Sequence, residues 1–443
     1  MIKNMEKIKI LPVYPKFPPT FWGFNYSLPF IGKKAVMTPT GLATVAAMIP
    51  QEHFEVQRII DLNIEPLTDE PIKNCDFIFT SSMVIQEDSN NEVIDKAHFY
   101  GKKVVVGGPF PTSYPERTST ADYRICGEAE VTLKPFLEDL LMGKVKREYA
   151  EKEMIEQGRF SGKLTKEGKP LLTHTPIPRW DLINLSAYNS AAIQFSRGCP
   201  FDCEFCDITK LFGRIPRTKA SKQTLEEIQT IYNFGYKGSV FIVDDNFIGN
   251  KKDVDIFLPD LIEWQAKHNF PFSFFTEASM HLAWPDYKNT LETMVEAGFD
   301  EVFLGIESID SDVLEKMGKK QNIKVDPLEA VRIIQNSGLK VSGGLIIGSD
   351  GEKPEVFDKL YEFIQVAGIP IAMPGLLGVL KGTKLHKRLE KEGRLREDTH
   401  GDNTHRFRFN FQPEMDEAFL INGYKKLIKD LYTPANYYER CLV

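Results

Sequence analysis

Three of the six cysteines fall within eight residues, in Arg197-Gly198-Cys199-Pro200-Phe201-Asp202-Cys203-Glu204-Phe205-Cys206. The spacing is C-x3-C-x2-C. Thiolates are soft donors, suited to iron–sulfur clusters or to zinc. A closed structural site of either kind takes four ligands. Three thiols on one loop leave one iron open, and an open iron can bind a substrate or a cofactor directly. The plainer reading is a zinc knuckle completed by His174, Cys126 or Cys441. The loop follows a predicted strand and carries Phe205 between its second and third cysteines, which argues for the cluster. No His-x3-His pair suggests a second metal, and no G-x4-G-K-[ST] loop occurs. Cys75 and Cys126 adjoin predicted strands and read as small core residues.

The elements around this loop fall into two alternating series. In the first, Lys7–Val13, Phe54–Asp61, Phe77–Ser81 and Lys103–Gly107 read as strands, with helical spacing in Pro39–Ile49 and Asn91–Tyr100. Strands alternating with helices imply a parallel sheet covered on both faces. Ligands of such sheets sit at the carboxyl ends of strands, where Ser81, Gly107 and Gly108 fall. A plain strand-end turn is the alternative for these three. The second series runs through Ala192–Ser196, Ser239–Val243, Phe272–Thr276, Glu301–Gly305, Lys340–Ile347 and Gly375–Leu380. Helical patterns lie between these strands. Six βα units are too few for a closed eight-unit barrel, so an open, partial barrel is expected. The expected organisation is a doubly wound domain over residues 1–145, a linker over 146–190, a partial (β/α)6 barrel over 191–384 and a small helical extension over 385–443.

Composition narrows the setting. Of 443 residues, 55 are Lys or Arg and 62 Asp or Glu, a net charge of −7 that gives no support to a broad nucleic-acid surface. No apolar run approaches the ~20 residues of a bilayer span. The opening MIKNMEKIKILPVYP reads as a first strand, not a signal peptide. With no disulfide framework, a reducing cytoplasm is the expected location, and peripheral membrane contact stays open.

The cysteine loop resembles the signature of radical S-adenosylmethionine (SAM) enzymes, C-x3-C-x-aromatic-C after a strand. The resemblance implies that Cys199, Cys203 and Cys206 bind three irons of a [4Fe–4S] cluster. SAM then chelates the fourth iron, with Phe205 near its adenine. One-electron reduction cleaves SAM to methionine and a 5′-deoxyadenosyl radical, which takes hydrogen from substrate. Residues after later strands often contact SAM in this family, which implicates Asp244 and Asn246, Glu277, Glu307 and Gly343 here. The usual Gly-Gly-Glu is replaced by Asp244-Asp245-Asn246. For the two glutamates the alternative is a structural ion pair, and for Gly343 a tight bend.

A doubly wound domain ahead of such a barrel resembles the cobalamin-binding class. The stretches FIGKK (30–34), DLNIEPLT (61–68), GGP (107–109), GEAE (127–130), PRWD (178–181) and VDDNFIGN (243–250) make the chain similar to the hopanoid C-2 methyltransferase-type subfamily. That implies methylcobalamin as methyl donor and an unactivated carbon, of an isoprenoid lipid or another small molecule, as acceptor. It also implies an electron donor such as flavodoxin or ferredoxin. Ser81, Gly107 and Gly108 are the implied cobalamin contacts. Many cobalamin domains supply a lower ligand from Asp-x-His-x-x-Gly. Here Asn63 stands at the His position and Pro66 at the Gly, so this loop offers no such ligand. Either cobalamin binds with water or nothing below, or the domain has lost it; similar chains share the pattern, which favours the first. A radical SAM enzyme with a non-methylating outcome, and a non-catalytic iron–sulfur or corrinoid-binding protein, are the rival readings.

Overall fold

The computed structural model describes residues 6–442. Contacts divide the chain into two units. One runs to Ile193 and takes in Glu226–Lys237; the other comprises Gln194–Leu225 and the chain from Gly238 onward.

The first unit is built on the strands β1 (Ile8–Tyr14), β2 (Ala35–Met37), β3 (Phe54–Val56), β4 (Ile60–Asp61), β5 (Phe77–Ser81), β6 (Lys103–Gly107), β7 (Tyr123–Cys126), β8 (Glu148–Ala150) and β9 (Tyr188–Ile193). The main sheet has the order β3-β1-β5-β6-β7-β8, with β4 extending the pairing of β1, and its resolved pairs are parallel. Its strands are apolar on both faces, as a helix-covered parallel sheet requires. Val105 packs with Ile10, Phe79 and Phe136 on one side. Val104 and Val106 pack with Leu11, Val13 and Ile78 on the other. From β1 the chain first moves outward to β3, then crosses back to β5. That reversal creates a switch point, and the crevice beyond it is where ligands of such sheets bind.

Two expectations shift here. The strand expected over Phe54–Asp61 is two short strands separated at Gln57–Ile59. The expected linker opens with β8 and the helix Glu151–Glu156, which complete the sheet beside β7.

In the second unit, β10 (Ser196–Arg197) and β11 (Arg217–Thr218) form a small antiparallel pair. Then β12 (Gly238–Ile242), β13 (Phe272–Ser279), β14 (Phe299–Glu307), β15 (Lys340–Ile347) and β16 (Ala372–Leu376) pair in parallel in chain order. These are five of the six strands expected for an open run of βα units, and the strand expected over Gly375–Leu380 lies at Ala372–Leu376. All five strands present their carboxyl ends along one edge. Helices between them begin as their sequences dictate. Pro327–Asn336 starts with Pro at its first position, and the Asp326 carboxylate accepts the Glu329 N–H at 3.0 Å. Its Ala330, Val331 and Ile334 turn inward.

The chain ends in helices, as expected. Glu417–Leu431 and Pro434–Cys441 pack on Val356–Val366. Arg440 fastens them. It is 1 % exposed and donates to the carbonyls of Ile369 (2.9 Å), Pro370 (3.1 Å) and Leu431. Its guanidinium lies over the rings of Tyr432 and Tyr437, 4.9 and 5.0 Å from their centres.

Candidate functional site

Cys199, Cys203 and Cys206 follow β10 on one half-buried loop, and none is in a disulfide. The loop is tied at its root by the residues after β12. Asp244 is buried and accepts from the Phe195 N–H (2.8 Å) and the Ser196 hydroxyl (2.7 Å). Asp245 accepts from the Gly198 N–H at 2.8 Å. Gly198 sits at φ +94°, and a Cβ there would stand 3.0 Å from the Gly213 carbonyl, so only glycine fits. The Cys199 N–H donates to that same carbonyl at 3.3 Å. Burial pushes the Cys199 thiol up to about 11 and the Cys206 thiol well above its ordinary value. Bare thiols here resist ionisation, and a bound cation would reverse that. Among the described residues no three His, Cys, Asp or Glu side chains converge as they would on a single ion. The thiolates of a cluster ligate separate irons and need no such convergence.

Burial also raises Asp244, to about 7. The folded protein therefore holds this proton more tightly than the unfolded chain. The resulting stability is full below about pH 4 and is lost as pH rises through about 7. Asp244→Asn cannot titrate; its Oδ1 can accept from the Phe195 N–H, and its Nδ2 can donate to the Ser196 hydroxyl, reversing that bond. In denaturant melts, the stability of the variant relative to wild type is expected to rise steadily between those pH values. A flat difference would show that Asp244 is ionised throughout.

The other expected SAM contacts are distributed as follows. Asn246 accepts from the Ser279 N–H at 3.3 Å, while its buried Nδ2 has no hydrogen-bond partner. Such an orphan is a donor awaiting an acceptor. Glu277, on β13, is crowded by protein yet stays accessible to water, and burial raises its carboxyl to about 7. Glu307 ends β14 at φ +62°, where the register slips, and pairs with Lys319 at 2.5 Å. Glu307 thus forms an ion pair, whereas among the described residues no such pair is seen at Glu277. Gly343 packs under Ile306, whose Cδ1 would lie 2.7 Å from a Cβ; packing alone accounts for this glycine. Phe205 is half-buried, with the Lys319 ammonium 6.0 Å from its ring centre.

The C-terminal extension grips the same loop. Leu385 N–H donates to the Glu204 carbonyl at 2.8 Å. Arg388 meets the Glu204 carboxylate with two nitrogens, at 2.8 and 3.1 Å, and reaches Asp350 at 2.7 Å. Arg394 takes the other side of Asp350 at 2.6 Å. Lys384 pairs with Asp202.

In the first unit, Ser81 and Gly107 are register partners across β5 and β6. Gly108 follows at φ +93°, and a Cβ there would stand 2.8 Å from the Ser81 hydroxyl and 3.0 Å from the Ser82 backbone. The structure so brings all three expected residues together, beside the switch point. The buried Ser82 hydroxyl next to them has no hydrogen-bond partner. Asn63 is occupied: its Oδ1 accepts the Phe17 N–H at 3.0 Å and its Nδ2 donates to Asp61 at 2.6 Å.

Comparison with known proteins bears on these two sites. Residues 193–364 match the Radical SAM superfamily, residues 33–137 a B12 binding domain, and residues 383–443 a domain of unknown function. The chain is 41 % identical to an uncharacterized methyltransferase of Synechocystis sp., over 98 % of this chain and 78 % of that one. It is 36 % identical to the hopanoid C-2 methylase of Rhodopseudomonas palustris, over 89 % and 72 %.

The chain belongs to the cobalamin-dependent radical SAM methyltransferases.

It shares its fold with TsrM of Kitasatospora setae, a radical SAM methyltransferase whose structure holds cobalamin and a [4Fe–4S] cluster. The TM-score is 0.67 at 14 % identity, covering 98 % of this chain and 90 % of that one. The residues present suit the family's cofactors. The three thiols are a donor set for iron, the Asn246 amide lacks a partner, and the glycine turn at 107–108 borders an unsatisfied hydroxyl. Among the described residues no helix is long and apolar enough to cross a membrane.

Reading the sequence overlooked Lys319 and Arg388. Both reach the cysteine loop through the tertiary fold, and no local spacing marks them.

Proposed function

We propose that this enzyme methylates an unactivated carbon, using a [4Fe–4S] cluster on Cys199, Cys203 and Cys206, SAM and cobalamin. The observation that carries the reading is the cysteine loop: three thiols at the carboxyl-end edge of a parallel sheet, anchored by Asp244 and Asp245. When bound, the cluster and SAM supply a one-electron route to hydrogen abstraction, and cobalamin supplies a transferable methyl group. The chain's own part is placement. Asp244 and Asp245 fix the root of the loop, and Arg388 and Leu385 fix its middle. Asn246 and Glu277 offer a donor and a carboxylate for the amino-acid end of SAM. Phe205 offers a ring face for adenine. In the other unit, Ser81, Gly107 and Gly108 give the cobalamin tail close access to the backbone. Because Asn63 is spent on local hydrogen bonds, we read cobalamin as bound without a lower protein ligand.

For the substrate we propose a hopanoid or another polycyclic isoprenoid lipid, since the Rhodopseudomonas palustris relative is a hopanoid C-2 methylase. The cell compartment is the reducing cytoplasm, with a flavodoxin or ferredoxin as electron donor. The test is anaerobic protein, loaded with cobalamin and incubated with SAM, reductant and a hopanoid. A methylated lipid with both S-adenosylhomocysteine and 5′-deoxyadenosine is the expected result. 5′-Deoxyadenosine without S-adenosylhomocysteine would replace methyl transfer by another radical outcome.

A further inference from the structure

The segment after the short helix Ser311–Lys316 faces the cysteine loop with two groups that the proposed reaction leaves unused. Lys319 is 6 % exposed, and its ammonium is held by Glu307 at 2.5 Å. Gln321 is 5 % exposed and aims Nε2 at the Cys203 sulfur, 3.5 Å away. The segment is fixed on both sides. Asn322 donates to the carbonyls of Gly305 and Ile306, at 2.8 and 3.0 Å. The Glu204 N–H donates to Met317 O at 2.9 Å, and a Cβ on Gly318 would stand 3.3 Å from Asp202 O. The lysine is therefore built into the wall behind the thiols.

A buried ammonium is costly unless it is compensated. Its carboxylate partner, Glu307, is itself held in the left-handed region at the β14 irregularity. Local strain of this kind persists where the surroundings over-determine it. Net charge and hydrogen bonds to sulfur are the levers that set iron–sulfur potentials. Taking up one electron adds one negative charge to a cluster. A fixed cation and an N–H···S donor both favour that added charge.

We propose that Lys319 and Gln321 set the reduction potential of the cluster on this loop, raising it toward the reach of an external one-electron donor, with Glu307 offsetting the lysine. This rests on the iron–sulfur reading above. Neither residue is placed on the reacting atoms; both act through the cluster.

The experiment is an anaerobic redox titration of the full-length protein, reconstituted with iron and sulfide, without SAM. Dithionite is the reductant, and electron paramagnetic resonance follows the reduced cluster. Wild type comes first: no cluster signal there overturns the iron–sulfur reading itself. With the cluster present, Lys319→Met is expected to lower the ratio of reduced to oxidised cluster about tenfold at the wild-type midpoint, equivalent to about 59 mV for one electron. Gln321→Leu shifts the midpoint the same way by less. Lys319→Arg restores it. Glu307→Gln shifts it in the opposite direction. Unchanged midpoints at equal cluster content overturn the proposal. So does a shift of the same sign for Lys319→Met and Glu307→Gln, which would report damage rather than charge. Weaker SAM binding by Lys319→Met at unchanged potential would move the lysine onto SAM and also overturn it. If Lys319→Met fails to assemble a cluster, the signs of Gln321→Leu and Glu307→Gln decide.

Discussion

Replacing Cys199, Cys203 or Cys206 by alanine is expected to give a folded chain that loads no stable cluster and loses SAM cleavage by about three orders of magnitude or more, the scale on which removal of an essential group is felt. Fold and chemistry separate because the loop does not depend on the thiols for its shape. Its root is fixed by Asp244 and Asp245, its middle by Arg388 and by Leu385 N–H on the Glu204 carbonyl. Losing one thiol leaves two ligands for a cluster that needs three from the protein. The controls are two of the three remaining cysteines. Cys75 and Cys126 are buried, and burial lifts their thiols to about 11 and about 12. Cys75→Ala and Cys126→Ala should keep full iron content. Iron and sulfide analysis, with the yield of 5′-deoxyadenosine, checks both sets. A Cys203→Ala protein with normal cluster content would mean that another side chain ligates, and the assignment of the loop would fail.

The second large effect concerns stability. Arg440→Ala is expected to cost about 3–5 kcal/mol, the scale of several hydrogen bonds lost from a charged donor together with a large-to-small cavity in the core. The guanidinium satisfies three carbonyls from two places in the chain, Ile369-Pro370 and Leu431, and lies over two tyrosine rings. Alanine leaves those carbonyls short of donors and opens a cavity as well. Arg440→Lys should recover little, because an ammonium cannot span the planar fork of acceptors. Denaturant unfolding reads the loss, and limited proteolysis should cut first between residues 417 and 441. A change under 1 kcal/mol would show that these helices hold without their bolt.

The chemistry was more legible than its surroundings. The C-x3-C-x2-C spacing is local, so the proposed ligand set can be read from eight adjacent residues. Strands with strong apolar runs were equally plain: Phe77–Ser81, Lys103–Gly107 and Lys340–Ile347 are found with the expected ends. Two kinds of feature escaped. Short edge strands such as β8, three residues long, carry too little pattern to separate from a linker. The run expected as Ala192–Ser196 proved to be the end of β9 and the start of β10, because Gln194 and Phe195 leave the sheet to bring Ser196 to Asp244. Long-range partners escaped for a different reason. Arg388 lies 184 residues from Glu204, and Gln321 lies 118 from Cys203. Nothing in a helix of alternating Lys, Leu and Arg says which carboxylate it will meet. Of the residues expected near SAM, Asp244 accepts from the loop at the Phe195 N–H and Gly343 packs under Ile306, contacts that no local spacing announces.

The grip of Arg388 on Glu204 has a consequence for biosynthesis. The thiols leave the ribosome long before their clamp exists. At about 5–20 residues per second, the 184 residues between the two take roughly 10–40 s to make. Throughout that interval the nascent loop has its metal-binding side chains but not the helix that pins it. Premature loading would meet an unpinned loop, and air would reach the sulfurs freely. Metal delivery should therefore follow synthesis of the helix that carries Arg388, which works as a latch made well after the loop it closes.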